Sequence, residues 1–352
     1  MASRLTRRVG DGNLSRLRVH TVIVHHRGLQ LLSRCLRSLL ESEGVGLHVV
    51  VVLNDCREEL PPEAFSERVL VVRTAGAVGF AAANNAGVEA GRRLIGEPDH
   101  WLFLNNDTSV DPQALRVLVE SLAANPDADI AGPRIMILGA PDHLNSLGIN
   151  LTMTGEAWDE GIGRPLLEMR ERMALRPVVA VTGCALMIRA AALRALGGWS
   201  EAYGYYYEDL DLCLHCQARG RGVINAPDAV VFHALSATAG VRSEFKLFHT
   251  WRNRLVLLAV HWPLSLLVRI LPRLLASEAL VLWRRYRVGA RDEAAIQFRA
   301  WRSFAKALPS LPRLRRQAAG RRDWVRLLRP AGSVPKIRLP PIAADPIVES
   351  RP

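Results

Sequence analysis

Short apolar runs alternate with helix-like segments through the first third of the chain, and this alternation constrains the fold more than any other feature. The runs cover residues 19–25, 47–53, 69–73 and 101–104, and apolar residues recur at helical spacing over 29–40 and 79–95. Strands that alternate with helices in this way predict a largely parallel sheet flanked by helices. The sequence therefore predicts an α/β fold.

Ligands in such sheets bind beyond the carboxyl ends of the strands, so functional side chains should follow strands directly. Asn105, Asn106 and Asp107 follow the fourth run, and His233 ends a later apolar run. A carboxylate at a strand end can bind a hard divalent cation, and asparagine oxygens assist it more weakly. Asn and Asp also favour ordinary turns, and a lone histidine is often structural. These residues therefore leave metal binding and a purely structural role both open.

Three acids crowd one turn later in the chain, directly after the three tyrosines at 205–207. They are Glu208, Asp209 and Asp211, and they open an apolar helical pattern. Stabilisation of a helix N-terminus, about 0.3–1 kcal/mol per acid, explains one or two of them but not the tyrosines. Crowded carboxylates raise one another's pKa, which suits a general base. The turn therefore indicates a catalytic site.

The remaining pattern divides the chain into four segments. We expect a basic N-terminal arm at 1–17, a catalytic domain at 18–240, a helical region at 241–308 and a loosely ordered Arg/Pro-rich tail at 309–352. Within the catalytic domain, glycines mark 139–176 as loop-rich and as a candidate lid over the site. A buried strand is expected at 178–188, and two short strands are expected at 222–225 and 229–233.

The chain of 352 residues carries a formal charge of +12, which favours acidic partners such as nucleic acid, anionic lipid or a phosphate-bearing substrate. The basic residues lie in the tails without interleaved aromatics, so we expect no nucleic-acid partner. Five scattered cysteines indicate reduced thiols in a cytoplasmic protein. Apolar stripes and arginines after residue 262 suit the surface of an anionic membrane, and they equally suit a helical subdomain that packs or dimerises.

Taken in order, these segments resemble the inverting family 2 glycosyltransferases with a GT-A fold, and most closely their rhamnosyltransferase-like subgroup. The resemblance extends over roughly residues 20–260. The matching runs are 21–24, 49–54, 79–87, 101–108, 181–188 with 197–199, 207–214 and 227–233. Their number and order make the resemblance more specific than any single motif.

The resemblance implies the chemistry of transfer. Asp209 matches the base that deprotonates the acceptor hydroxyl, with Glu208 and Asp211 as supporting acids. A divalent metal, Mg²⁺ or Mn²⁺, would be held by Asp107, Asn105 and His233. Trp199 falls where an aromatic borders the acceptor. The residues implied in donor binding are Asn54, Asp55, Gly79, Asn84, Asn106 and Arg252.

The resemblance also implies the partners. The donor would be a dTDP- or UDP-linked sugar, rhamnose first, and the acceptor a hydroxyl of a glycan or a lipid-linked molecule. The location would be cytoplasmic, with peripheral contact at the inner face of the plasma membrane.

The chain departs from the family pattern in its nucleotide pocket. The family has an aspartate at the end of the second strand, where this chain has Leu53 followed by Asn54 and Asp55. His25-His26-Arg27 stands where the family has Thr-Tyr-Asn. Two alternatives therefore stay open: a degenerate, non-catalytic GT-A protein that serves as a binding module, and a sugar-phosphate nucleotidyltransferase. The second would want a glycine- and lysine-rich loop after the first strand, which the sequence lacks.

Overall fold

A mixed β-sheet runs through the centre of the molecule. The structure is a computed structural model that describes residues 17–235 and 243–341. Within that part of the chain, ten strands join in the order β10-β12-β6-β11-β4-β1-β2-β3, with β5 added to β12 and β7 added to β6. These strands are β1 (Arg18–His25), β2 (Gly46–Leu53), β3 (Val69–Arg73), β4 (His100–Asn105), β5 (Thr108–Val110), β6 (Ala128–Ile137), β7 (Ala140–Ser146), β10 (Arg176–Pro177), β11 (Ala185–Arg189) and β12 (Gly222–His233).

Parallel pairing of β1 with β2 and β4 aligns their carboxyl ends at one edge of the sheet. His25 lies opposite Leu53, and Val24 lies opposite Asn105. β11 runs antiparallel between β4 and β6, so that Ala185 at its beginning lies opposite Leu104 at the end of β4. This register gathers the residues that follow β1, β2 and β4, together with those that precede β11, on one edge.

Helices cover both faces of the sheet, as the alternation in the sequence predicts. They are α1 (Leu29–Leu40), α2 (Phe80–Leu94), α3 (Ala114–Ala124), α4 (Ala190–Leu196), α5 (Glu208–Ala218), α6 (Glu244–His261), α7 (Leu264–Arg287), α8 (Arg291–Ala307) and α9 (Leu311–Gln317). α2 lies close to the sheet because it carries glycines: a Cβ on Gly87 would lie 2.6 Å from Val22, and one on Gly91 would lie 2.8 Å from Trp101.

The segment at 139–176 is more regular than its glycines suggest. It contains β7, a hairpin of β8 (Ile149–Leu151) and β9 (Ala157–Asp159), and a 3-10 helix at Leu166–Arg172. Gly148 and Gly155 supply the positive φ angles, 107° and 84°, that the tight connections require. These glycines therefore occupy the turns that connect short strands.

Two further strand predictions differ from the structure. Of the strand expected at 178–188, only β11 is regular. The two strands expected at 222–225 and 229–233 form one strand, β12, whose register shifts between Ala226 and Val230. Pro227 lies in this interval and cannot donate a ladder hydrogen bond, which accounts for the local irregularity.

The described part of the C-terminal tail packs against the rest of the protein. α9 and a 3-10 helix at Asp323–Leu327 follow the expected boundary at 309. Trp324 is 2% exposed, and its ring centroid lies 5.1 Å from that of Trp262. Arg315 donates to the carbonyl oxygens of Ala259 and Trp262. A few apolar anchors therefore outweigh the Arg/Pro-rich composition that predicted disorder.

None of the helices that the structure describes is both long enough and apolar enough to cross a membrane. The basic arm expected at 1–17 lies almost wholly outside the described residues, and so does the domain boundary expected at 240.

Candidate active site

A strained turn carries Asp209 into position. Tyr206 and Tyr207, just before α5, have φ angles of 64° and 73°, in the left-handed region that non-glycine residues rarely adopt. The fully buried side chain of Asn253 on α6 holds this turn, because its amide nitrogen faces three backbone carbonyl oxygens at 2.7–2.8 Å, those of Tyr203, Tyr205 and Tyr206. Asn253 is thus the clamp of the turn.

The Asp209 carboxylate is half-buried and fixed by two backbone amides. Its Oδ2 accepts from the N–H of Gly183 at 2.9 Å, and its Oδ1 accepts from that of Leu210 at 2.8 Å. Burial raises the pKa of Asp209, although these two amides oppose the rise. Gly183 lies two residues before β11, and Cys184 between them accepts from Asn105 N–H, so this contact places the carboxylate beside the end of β4. The geometry suits a base of increased proton affinity.

The neighbouring acids have different surroundings. Burial and the charge of Asp209 raise the pKa of Glu208 well above its usual range, which favours the protonated form of Glu208 beside Asp209. Asp211 is 6% exposed, and its Oδ1 accepts from His261 Nε2 at 2.7 Å. Asp211 therefore joins α5 to α6, in a direction that does not lead to the Asp209 carboxylate.

Asp107 and His233 meet at the ends of β4 and β12. Asp107 Oδ1 lies 3.2 Å from His233 Nε2, and Asp107 is 4% exposed. Burial alone would lower the pKa of His233 and raise that of Asp107. The net shifts are the reverse: nearby Cys184 and Asp107 raise the pKa of His233, and His233 lowers the pKa of Asp107. Two of the three predicted metal residues, Asp107 and His233, are thus in contact.

The chemistry of this pair fits a divalent metal. His233 Nδ1 donates to Asn145 Oδ1 at 2.6 Å, which directs Nε2, the other ring nitrogen, toward Asp107, where a divalent cation would displace the Nε2 proton. Asn105 ends β4, two residues before Asp107. Carboxylate and imidazole groups together suit Mn²⁺ or Mg²⁺.

Two of the predicted donor residues hold loops at the edge of the site. The Asn54 side chain donates to Val78 O at 2.8 Å and accepts from Val78 N at 2.9 Å, so it fixes the loop before α2. Asn106 Nδ2 donates to Arg27 O and faces His25 Nδ1 at 2.9 Å. Asp55 is exposed, with a φ of 51°. Of these three residues, Asp55 is the one whose side chain faces solvent.

The other predicted binding residues also make contacts within the protein. A Cβ on Gly79 would lie 2.9 Å from Gly204 Cα, so this glycine lets the loop before α2 touch the tyrosine turn. Asn84 is buried and donates to Phe80 O. Arg252 donates to Ala202 O at 2.6 Å. Trp199 is 2% exposed and packs edge-on against Phe80 and Phe103, within the core.

One acid of this site, Asp159, was not predicted from the sequence. Asp159 ends β9, and its Oδ1 is buried without a hydrogen-bond partner. Burial raises the pKa of Asp159 to about 6; the charge of Asp209 adds to the rise, while Ser146, His233 and Lys246 oppose it. The hairpin thus brings a second carboxylate close enough to Asp209 for the two charges to interact. An acid directly after a tryptophan, between Gly155 and Gly161, was the available signal.

A second donor set lies near the ends of β1 and β2. Ligand atoms of His25, Cys56 and Glu58 lie within 4.8 Å of one another. Asn106 donates to His25 Nδ1, so the ring hydrogen of a neutral His25 lies on Nε2, which faces Glu58 Oε2 at 3.3 Å. These contacts join the two strand ends.

A family model described as "Glycosyltransferase like family 2" matches residues 18–254. An uncharacterized protein of Sinorhizobium fredii, y4gI, is 30% identical over 187 residues, which are 51% of this chain and 19% of that protein. The chain thus spans about a fifth of the length of this curated relative.

Two solved structures share the fold. GalNAc-T7 with UDP, GalNAc and Mn²⁺ has a TM-score of 0.52 and 16% identity, over 71% of this chain and 49% of that chain. The mannosyltransferase PcManGT from Pyrobaculum calidifontis, in complex with GDP-Man and Mn²⁺, has a TM-score of 0.50 and 16% identity, over 89% of this chain and 78% of that chain. At these identities the likeness concerns the fold.

Proposed function

Because this chain belongs to the glycosyltransferase like family 2 and carries its domain at residues 18–254, we propose that it transfers a sugar from a nucleotide-diphosphate donor to an acceptor hydroxyl with inversion. Rhamnose is the sugar we propose first, and a glycan or lipid-linked molecule is the acceptor. The observation that carries the proposal is the placing of Asp209, held on Gly183 at the sheet edge where Asp107 and His233 also meet.

The transfer requires one displacement. Asp209 takes the proton of the acceptor hydroxyl while that oxygen forms a bond to the anomeric carbon. The bond from that carbon to the diphosphate oxygen breaks, and the electron pair leaves with the nucleotide. A single displacement inverts the configuration. The raised pKa of Glu208 favours its neutral form, which limits the negative charge beside Asp209.

The leaving diphosphate needs positive charge opposite it. A divalent metal held by Asp107, His233 and Asn105 would neutralise charge that builds on the diphosphate oxygens. Both similar structures contain Mn²⁺, which supports a divalent ion without deciding between Mn²⁺ and Mg²⁺. The chain itself fixes His233 through Asn145 and keeps the Asp107 carboxylate charged.

The nucleotide and the location are parts of the same proposal. The similar structures hold UDP and GDP-Man, so a screen for the donor covers uridine and guanosine sugars beside dTDP-rhamnose. All five cysteines are free, which supports a cytoplasmic location. Contact with the inner face of the plasma membrane is part of the same proposal.

A thermal-shift screen of nucleotide sugars with Mn²⁺ or Mg²⁺ tests the proposal. A ligand at about 100 times its Kd adds about 2.7 kcal/mol to stability, which a melting curve resolves. The stabilising donor is then incubated with acceptor glycans to detect the product. Stabilisation without any turnover favours the binding module. Synthesis of a nucleotide sugar from a nucleoside triphosphate and a sugar phosphate favours the nucleotidyltransferase. A lack of stabilisation by every donor contradicts the proposal.

A further inference from the structure

Helix α7 exposes a row of large apolar side chains. Leu264 is 66% exposed, Val268 72%, Leu271 48% and Leu275 60%. Their spacing of four, three and four residues places them on one face of the helix, which we call the α7 stripe. Single exposed leucines are common, but a continuous row on one helix marks a surface that another body covers.

The charges on the exposed surface of α7 have one sign. Arg269, Arg273, Arg284 and Arg287 are exposed. The helix has one acid in its sequence, Glu278, and this residue is turned inward, where it pairs with Arg254 and accepts from Gln297 and Trp301. The exposed face of α7 is therefore apolar and positive, which complements a surface that is apolar inside and anionic outside.

The far end of the helix carries exposed aromatics. Trp283 is 54% exposed and Tyr286 57% exposed, and the Arg287 guanidinium lies 5.1 Å from the Trp283 ring centroid. Tryptophan and tyrosine prefer the boundary between water and lipid because their rings join an apolar body to a polar group. Apolar stripe, arginines and aromatics thus occur together on one helix.

This aromatic end lies on the side of the active site. The Arg285 guanidinium stacks 4.0 Å from the Trp251 ring centroid, and Trp251 adjoins the Arg252–Asn253 pair that holds the tyrosine turn. Arg254, three residues after Trp251 on α6, pairs with Glu278, seven residues before Arg285 on α7, so the two helices run antiparallel. A surface bound along α7 would therefore reach toward the turn that carries Asp209.

We propose that the exposed face of α7 is a docking surface for an anionic lipid bilayer, on which the helix lies parallel to the membrane plane. The distance from Leu264 to Tyr286 is roughly 33 Å at 1.5 Å per residue, long enough for a firm interfacial contact. The docking deepens the proposed function, because it would hold the active site beside a lipid-linked acceptor. It rests on that function only for the identity of the acceptor.

Sedimentation of the full chain with vesicles tests the docking. The vesicles contain phosphatidylcholine alone or with about a third of phosphatidylglycerol, at about 0.1 M salt. We expect binding to the anionic vesicles and little to the neutral ones. Each arginine near an anionic surface contributes about five-fold in affinity, so Arg269→Glu with Arg273→Glu should reduce binding at least about 25-fold. Serine at all four positions of the α7 stripe should reduce it at least about tenfold.

Matched variants control for general effects of charge and polarity. Arg93→Glu with Arg326→Glu changes the same charge on exposed residues elsewhere, and Phe65→Ser with Leu94→Ser removes exposed apolar side chains from other elements. Both pairs should bind vesicles like the wild type. All variants should keep the wild-type melting temperature, because the altered side chains are exposed.

Three results would overturn the docking. The first is equal sedimentation with neutral and anionic vesicles. The second is undiminished binding by the α7 variants. The third is a dimer that dissociates when the α7 stripe is replaced, which would assign the stripe to a second copy of the chain. Stabilisation by nucleotide sugars is measured without vesicles, so failure of the docking leaves the proposed transfer standing, and the reverse also holds.

Discussion

Replacing Asn253 should loosen the turn that carries Asp209. Its amide nitrogen faces three carbonyl oxygens of the tyrosine turn, and Arg252 Nη1 donates to Asn253 Oδ1 at 2.6 Å, which fixes the orientation of the amide. Alanine at this position removes the donors and leaves the carbonyl oxygens of Tyr205 and Tyr206 without this partner, whereas that of Tyr203 keeps the N–H of Tyr205. Aspartate keeps the shape but turns an oxygen toward those carbonyls.

The structure sets the size of the effect. Two carbonyl oxygens lose their donor, and each buried group left unsatisfied costs about 1–3 kcal/mol, so Asn253→Ala should lower the free energy of unfolding by about 2–6 kcal/mol. The left-handed Tyr206 and Tyr207 store about 1–3 kcal/mol each, which the loosened turn would release. A barrier higher by about 2 kcal/mol reduces turnover about 30-fold.

Urea unfolding at pH 7 and single-turnover assays on folded protein measure the two effects. We expect Asn253→Asp to be less stable than Asn253→Ala, since repulsion replaces a mere vacancy. Asn125→Ala is the matched control: Asn125 donates to one carbonyl, that of Ser121, at the end of α3, and its loss should cost about 1 kcal/mol with full activity. An Asn253→Asp protein as stable and active as the wild type would refute the role of the clamp.

Three further predictions concern pH, metal and packing. Burial lowers the pKa values of His20 and His100 to about 4, below the 6.5 of an unfolded chain. Urea unfolding should therefore show the free energy of unfolding falling between pH 6.5 and pH 4, by up to about 3 kcal/mol per histidine. His100→Leu should remove the contribution of one histidine to this pH dependence. Asp107→Ala, or EDTA on the wild type, should weaken donor binding at least tenfold by calorimetry, and full activity in EDTA would point to a metal-free site. Gly79→Ala places a Cβ 2.9 Å from Gly204 Cα, so it should lower turnover and melting temperature together, whereas Gly76→Ala, which meets nothing within 4 Å, should be neutral.

Much of the fold could be predicted from periodicity. The bounds of α1 and β3 agree with the predicted runs at 29–40 and 69–73, because long apolar repeats and β-branched runs specify one structure. The hairpin of β8 and β9 was missed, since three-residue strands are too short for a period. The ordered tail was missed because Trp324 packs on Trp262, a contact between residues distant in sequence.

Part of the candidate site could also be predicted from the sequence, and part could not. Polar residues that follow strands lie at the same edge of the sheet, so the contact of Asp107 with His233 could be predicted. The direction of a side chain depends on tertiary partners, and these explain the differences. Trp199 and Asn84 lie in the core, Asp211 faces His261, and Asp159 enters from the hairpin. Which member of the acidic turn faces the sheet edge is decided by Gly183, from a distant part of the sequence.

The most direct test of the proposed transfer is the turnover of Asp209→Asn beside Asp211→Asn. The Asp209 variant keeps the shape of the carboxylate but cannot accept the proton, so we predict a loss of about 10²–10⁴-fold in turnover with unchanged stabilisation by the donor. The Asp211 variant should melt at a lower temperature, because its contact with His261 weakens, yet keep turnover near wild type in the folded protein. Wild-type turnover by Asp209→Asn would contradict the assignment of the base.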